Sequence, residues 1–138
     1  MKLRRKKLFS LALAALMLAA TAAACRREQT PAAAFKTYYE AALKRDTAGM
    51  KKTLSQGTLK YFAEMARAAH KTTDDGLRAN AEAMPQQMPE TRNETVIDDA
   101  TTLEIRHAQA ARWEIVEFVK EDGAWKLALD RTVNRKQG

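Results

Sequence analysis

The chain has little from which covalent or metal chemistry could be built. It carries one cysteine, Cys25, so no disulfide can form within it and no paired-cysteine zinc spacing exists. Two histidines occur, His70 and His107, with no H-x-x-H pair. The five glycines are scattered and form no phosphate-cradling loop. Asp74-Asp75 and Asp98-Asp99 lack the alternating acids of a calcium loop and read as turns. No metal or cofactor is expected. The apolar run Leu8 to Ala20 is shorter than the ~20 residues that cross a bilayer. Long single-sign charge is missing too, despite a formal +7. Lys2, Arg4, Arg5, Lys6 and Lys7 supply five of those charges, and from Cys25 onward 19 basic residues face 17 acidic ones. That part has no basic stripe interleaved with aromatics, so nucleic acid is not an expected partner.

The basic tip, apolar run and small residues that follow it have the order of a signal peptide, residues 1–24. The segment Ala22-Ala23-Ala24-Cys25 resembles the lipobox of bacterial lipoprotein precursors. That resemblance implies diacylglycerol transfer to the Cys25 sulfur, cleavage before it and acylation of the new amine. Ala22-Ala23-Ala24 also fits the A-x-A site of ordinary signal peptidase, which would give a secreted or periplasmic protein. A lone thiol in an oxidising compartment is an oddity that acylation removes. The expected partner is therefore a membrane, reached through a lipid on Cys25. Residues 25–29 form a tether, in which Arg26 and Arg27 either sit among anionic head groups or are simply solvated.

One domain is expected over 30–133, with a tail at 134–138. Thr30 suits an N-cap and Pro31 a first helical position. Phe35, Tyr38, Tyr39, Ala42 and Leu43 then follow at helical spacing. Asp46-Thr47 can cap a short second helix through Leu54. Residues 55–58 read as a turn, Leu59 to Ala69 as a third helix, 72–76 as an interruption, and Leu77 to Met84 as a last helix stopped by Pro85. After Glu90 the period becomes two. Strands are expected near 91–98, 101–107, 111–120 and 124–131, with turns at Asp98-Asp99, Ala108-Gln109-Ala110 and Glu121-Asp122-Gly123. Such short links allow only an antiparallel meander. Strict alternation puts Leu103, Ile105, Trp113, Ile115, Val119, Trp125, Leu127 and Leu129 on an apolar face. Thr102, Glu104, Arg106, Arg112, Glu114, Lys126 and Asp130 fall on the other. Helices against one apolar sheet face make an α+β fold.

The opening AFKTYYEAALKRDTAGMKKTLS and the closing EFVKEDGAWKLAL resemble the nuclear-transport-factor-2-like superfamily, in particular its small lipoprotein-type domains of unknown function. The resemblance covers about 30–131. It implies helices packed on a curved antiparallel sheet with a cavity between them, in which enzymatic members place acid and base groups.

Four residues stand out as a pocket: Tyr38, His107, Trp113 and Glu117. Tyr38, with Tyr39, Tyr61 and Phe62, is first of all core. His107 reads as a strand-end, rim histidine. His70 reads as a cation at a helix C-terminus. Glu117 alternates onto the apolar face, where burial would raise its pKa. A β-bulge in the third strand, suggested by Val116 and Phe118 on the nominally polar face, would instead return it to water. Neither residue reads as catalytic. The expected function is a lipid-anchored extracytoplasmic domain of the cell envelope that binds a small ligand or an envelope protein without catalysis. Two alternatives stand beside it: a small cavity enzyme using Glu117 and His107, and a structural role in envelope assembly.

Overall fold

A computed structural model describes residues 29–137, so the signal-peptide and Cys25 expectations lie outside the described residues. Four helices come first: α1 (Pro31–Leu43), α2 (Thr47–Thr53), α3 (Gln56–Ala68) and α4 (Thr73–Ala83). Four strands follow, β1 (Glu90–Ile97), β2 (Ala100–Arg106), β3 (Glu114–Glu121) and β4 (Ala124–Leu127), and the described chain ends in α5 (Leu129–Gln137). The sheet is an open antiparallel meander in the order β1-β2-β3-β4. Among the described residues, no helix is long and apolar enough to cross a membrane.

The helix ends follow local chemistry. Thr30 Oγ1 accepts the Ala33 N–H (3.1 Å) and Asp46 Oδ1 accepts the Gly49 N–H (2.9 Å), each capping the helix it precedes. Gly49 is needed there, because a Cβ would lie 2.9 Å from Asp46 Cγ. Ser55 is an N-cap, so residues 55–58 open α3 and do not form a free turn. Thr72 and Asp75 make a reciprocal capping box, which starts α4 at Thr73 instead of Leu77. The Thr72 hydrogen bonds hold the Asp75 carboxyl below its ordinary pKa.

Helices α1 and α3 both end with a non-glycine residue in the left-handed region, Arg45 and His70, each at φ 55°. In each case two backbone bonds close the end: Asp46 N to Ala41 O and Arg45 N to Ala42 O, and likewise Lys71 N to Ala66 O and His70 N to Arg67 O. The backbone role of His70 is thus to turn the chain. Left-handed geometry costs a residue with a Cβ ~1–2 kcal/mol, while glycine loses ~0.5–1 kcal/mol more backbone entropy on folding. Arg45→Gly is therefore expected to stabilise the domain by ~0.5–1 kcal/mol, read from urea midpoints. The exposed Arg45–Glu82 pair at 3.9 Å that it removes is worth little. A lower midpoint would mean that Arg45 is held by more than its backbone.

The sheet departs from the expected one in four places, each with a local cause. First, β3 begins at Glu114, after a seven-residue connection, 107–113, in place of the tight turn at 108–110. Ile105 then pairs with Glu114. A one-residue change of register moves every side chain of a strand to the other face. Val116 and Phe118 are consequently buried, whereas Ile115 is exposed and Val119 only half-buried. Second, β3 carries no bulge, since its register with β2 runs unbroken from Ala100↔Val119 to Ile105↔Glu114. The bulge is in β1, where pairing steps from Arg92↔Glu104 to Thr95↔Thr102 around Asn93, at φ 50°. Third, β4 stops at Leu127, so Leu129 and Asp130 are helical. Fourth, α5 runs through the boundary expected at 133–134. The Asp122-Gly123 turn forms as expected, both residues at positive φ (50° and 75°), as a two-residue hairpin needs.

The core lies between α1, α2 and α4 and the inner sheet face. Phe35, Tyr38, Tyr39 and Met50 meet Leu103, Ile105, Val116, Phe118, Trp125 and Leu127 there. The outer face carries cross-strand ion pairs, Arg92–Glu104 and Arg106–Glu90, both at 2.7 Å. Trp113 joins that face. Its ring lies 3.9 Å from the Arg92 guanidinium carbon and 4.9 Å from that of Arg106, which explains why an indole turns away from the core.

Candidate functional site

A cleft of about 340 Å³ opens between α1, the end of α4 and the inner sheet face. That is enough for a small ligand. Ile105, Val116 and Leu127 form its floor, and Phe35, Tyr38 and Tyr39 of α1 form one wall. Asn80, Met84 and Pro85 close a second side, while Leu129 and Thr132 of α5 close the third. His107 and Glu114 stand at one end.

The two phenols are committed inside the fold. Tyr38 Oη donates to Asn80 Oδ1 (2.7 Å), tying α1 to α4. Tyr39 Oη donates to the Pro85 carbonyl (2.6 Å) and lies 3.2 Å from the Gln87 carbonyl, which fastens the proline connector beside the cleft. Burial pushes the pKa of both phenols up, that of Tyr38 well beyond the ordinary range and further so because Tyr39 is beside it. Neither is a ready proton donor. They shape the cleft and present ring faces to it.

His107 differs. Its Nδ1 is buried and has no hydrogen-bond partner among the described residues. Its ring centre lies 6.2 Å from that of Tyr39, and the peptide around it is fixed by the Ala110 N–H to His107 carbonyl bond (2.8 Å). A buried nitrogen without a partner is costly, which sets His107 apart from the two phenols.

Of the four expected pocket residues, Tyr38 and His107 line the cleft. Trp113 and Glu117 do not. Glu117 pairs across the sheet with Thr102 and so projects from the outer face. Its backbone binds the start of the last helix: the carbonyl accepts the Ala128 N–H (2.8 Å) and the N–H donates to Thr132 Oγ1 (3.1 Å). Glu117 and His107 therefore do not share one cavity. The carboxylate that does join His107 is Glu114, which the alternation count had put on the polar face. Counting back from the Asp122-Gly123 turn, with Glu121 opposite Ala124, was the signal that could have found it. Among the described residues, no group of His, Cys, Asp and Glu is placed to hold a metal ion.

No protein-family model matches the chain, and comparisons with curated proteins and with solved structures find no significant match.

Proposed function

We propose that this is a lipoprotein whose acylated Cys25 tethers a nuclear-transport-factor-2-like domain to the extracytoplasmic face of a membrane, and that the domain works by holding a small, mostly apolar molecule. The cleft carries this reading. It is lined by apolar and aromatic side chains, its phenols are already hydrogen-bonded within the fold, and it keeps one unsatisfied nitrogen, His107 Nδ1. That composition suits binding. Acid–base catalysis instead needs groups within reach of a substrate and a supply of exchangeable protons. Among the described residues, His107 and Glu114 are the titratable groups that line the cleft besides the two phenols.

Two measurements test the two halves. Wild type should take up a fatty-acid probe and fractionate with membranes, and Cys25→Ser should release it. An unlabelled, soluble wild type ends the anchor reading. For the cleft, a fluorescent apolar probe such as 1-aminoanthracene should bind saturably. Ala83→Trp, at an exposed cleft-lining position at the end of α4, should weaken it at least tenfold. Probe binding unchanged by that indole would show that the cleft is not the site. Turnover of a bound molecule, abolished by Glu114→Gln together with His107→Ala, would replace binding with catalysis.

A further inference from the structure

The cleft has a neighbour. A second apolar depression, also about 340 Å³, lies between α3, α4 and α5 and is lined by Tyr61, Phe62, Met65 and Val133. Asn80, Leu129 and Thr132 line both spaces. All three are only half-buried, so the rim of the wall between the spaces is open to a ligand. Neither space offers an unpartnered charge. The second has no charged lining residue, and Glu114, the one in the first, already has a partner within the fold. The wall itself is polar at two points. Thr132 Oγ1 is used twice, accepting the Glu117 N–H (3.1 Å) and donating to the Ala128 carbonyl (3.4 Å). Asn80 Oδ1 accepts the Tyr38 hydroxyl (2.7 Å), which fixes the amide with its oxygen toward α1. The amide nitrogen, Asn80 Nδ2, is left without a partner among the described residues. It is a pure donor, on the wall that two apolar spaces share.

We propose that the two spaces are one site for a neutral single-chain ester, with one alkyl arm in each space and its carbonyl oxygen on Asn80 Nδ2. The proposal rests on the cleft being a binding site and adds the length, charge and polar centre of the occupant. An ester carbonyl accepts without donating, so it strands no N–H or O–H of its own among the apolar walls. An ionised group at mid-chain would lose its water with no opposite charge to meet it. Each methylene that follows an arm into its space strengthens binding severalfold.

The test uses the mature chain with Cys25→Ser, and displacement of 1-aminoanthracene by three esters below their solubility limits. Hexyl hexanoate carries its ester at mid-length, methyl undecanoate is its isomer with the ester at one end, and propyl propanoate has about half the length. Hexyl hexanoate should displace the probe at least tenfold more tightly than propyl propanoate, and about fivefold more tightly than methyl undecanoate. Val133→Trp, which fills the second space at a half-buried position, should weaken hexyl hexanoate at least tenfold and leave propyl propanoate within about twofold. Asn80→Asp keeps an acceptor for the Tyr38 hydroxyl but loses the donor, and should level the two isomers while the probe still binds. Isomers that bind wild type equally, an isomer preference that survives Asn80→Asp, or hexyl hexanoate binding that ignores Val133→Trp overturns the proposal. If the probe stays saturable and sensitive to Ala83→Trp in that case, the cleft reading survives it. If the probe itself never binds, both fall.

Discussion

Trp125→Ala is expected to remove ~3–5 kcal/mol of stability, a large share of the ~5–15 kcal/mol that holds an ordinary domain together. The indole is 6% exposed on the inner face of β4, two residues from Leu127 and opposite Lys120, whose ammonium lies 5.5 Å from the ring. It belongs to the same packed cluster as Phe118, Met50 and Tyr39, so truncation leaves a void that rigid neighbours from helix and sheet cannot close. Trp113→Ala is the matched control. It removes the same side chain from the outer face, where the loss is that of its two arginine contacts, ~1 kcal/mol. Urea melts of the two variants should differ by several-fold in destabilisation. Equal losses would mean that Trp125 is no more deeply packed than Trp113, and a larger loss for Trp113→Ala that the inner and outer faces of the sheet have been exchanged.

Thr58→Val should cost ~2–4 kcal/mol although it keeps the shape of the side chain. Thr58 is fully buried in the first turn of α3. Its Oγ1 accepts the Leu129 N–H (2.9 Å), lies 2.8 Å from Asp130 Oδ1 and 3.1 Å from the Leu127 carbonyl, and meets Ser55 Oγ at 2.9 Å. A valine leaves the Leu129 N–H and the Asp130 carboxylate each short of a partner. An unsatisfied buried donor costs ~1–3 kcal/mol, and hydrogen bonds to charged groups are worth ~1.5–3 kcal/mol. Thr58→Ser, which retains the hydroxyl, should recover most of the loss. If serine is as damaging as valine, the hydroxyl is not what holds this joint.

The helical half of the domain was legible because its signals are local. Caps, the helical spacing of Phe35, Tyr38, Tyr39 and Ala42, and the Pro85 stop act within a turn or two of the residues they organise. The Asp122-Gly123 hairpin was legible for the same reason. Strand faces were not, because they depend on a register set elsewhere. Strict alternation across the 107–113 connection puts Trp113 on the core face together with Ile115. Two arginines on neighbouring strands offered it another place, and that contact is visible only once β1, β2 and the 107–113 connection are assembled. Counting back from the tight turn puts Phe118 opposite Leu127 and so places Val116 and Glu114 correctly. The end of β4 was illegible in a different way. Leu129 and Asp130 alternate well enough for a strand, but their partners are Thr58 and the N-terminus of α3, about seventy residues earlier. Half of the pocket followed from these errors: Tyr38 and His107 did not depend on the β3 register, whereas Trp113 and Glu117 did.

The joint at the start of α3 also bears on the order in which the chain can fold. The Gln56 N–H is taken by the Glu121 carboxylate (3.1 Å), the Ser55 N–H by the Leu127 carbonyl (2.9 Å) and Thr58 by Leu129 and Asp130. These partners are 65 to 72 residues away in sequence. Until residues 121–130 have left the ribosome, α3 has only its own Ser55 cap to hold its first turn, and no local substitute exists for the rest. Closing so long a loop is an entropic debt that precedes any reward from the contacts it allows. The joint at the start of α3 thus cannot lock until the Asp122-Gly123 hairpin and the first residues of α5 are in place.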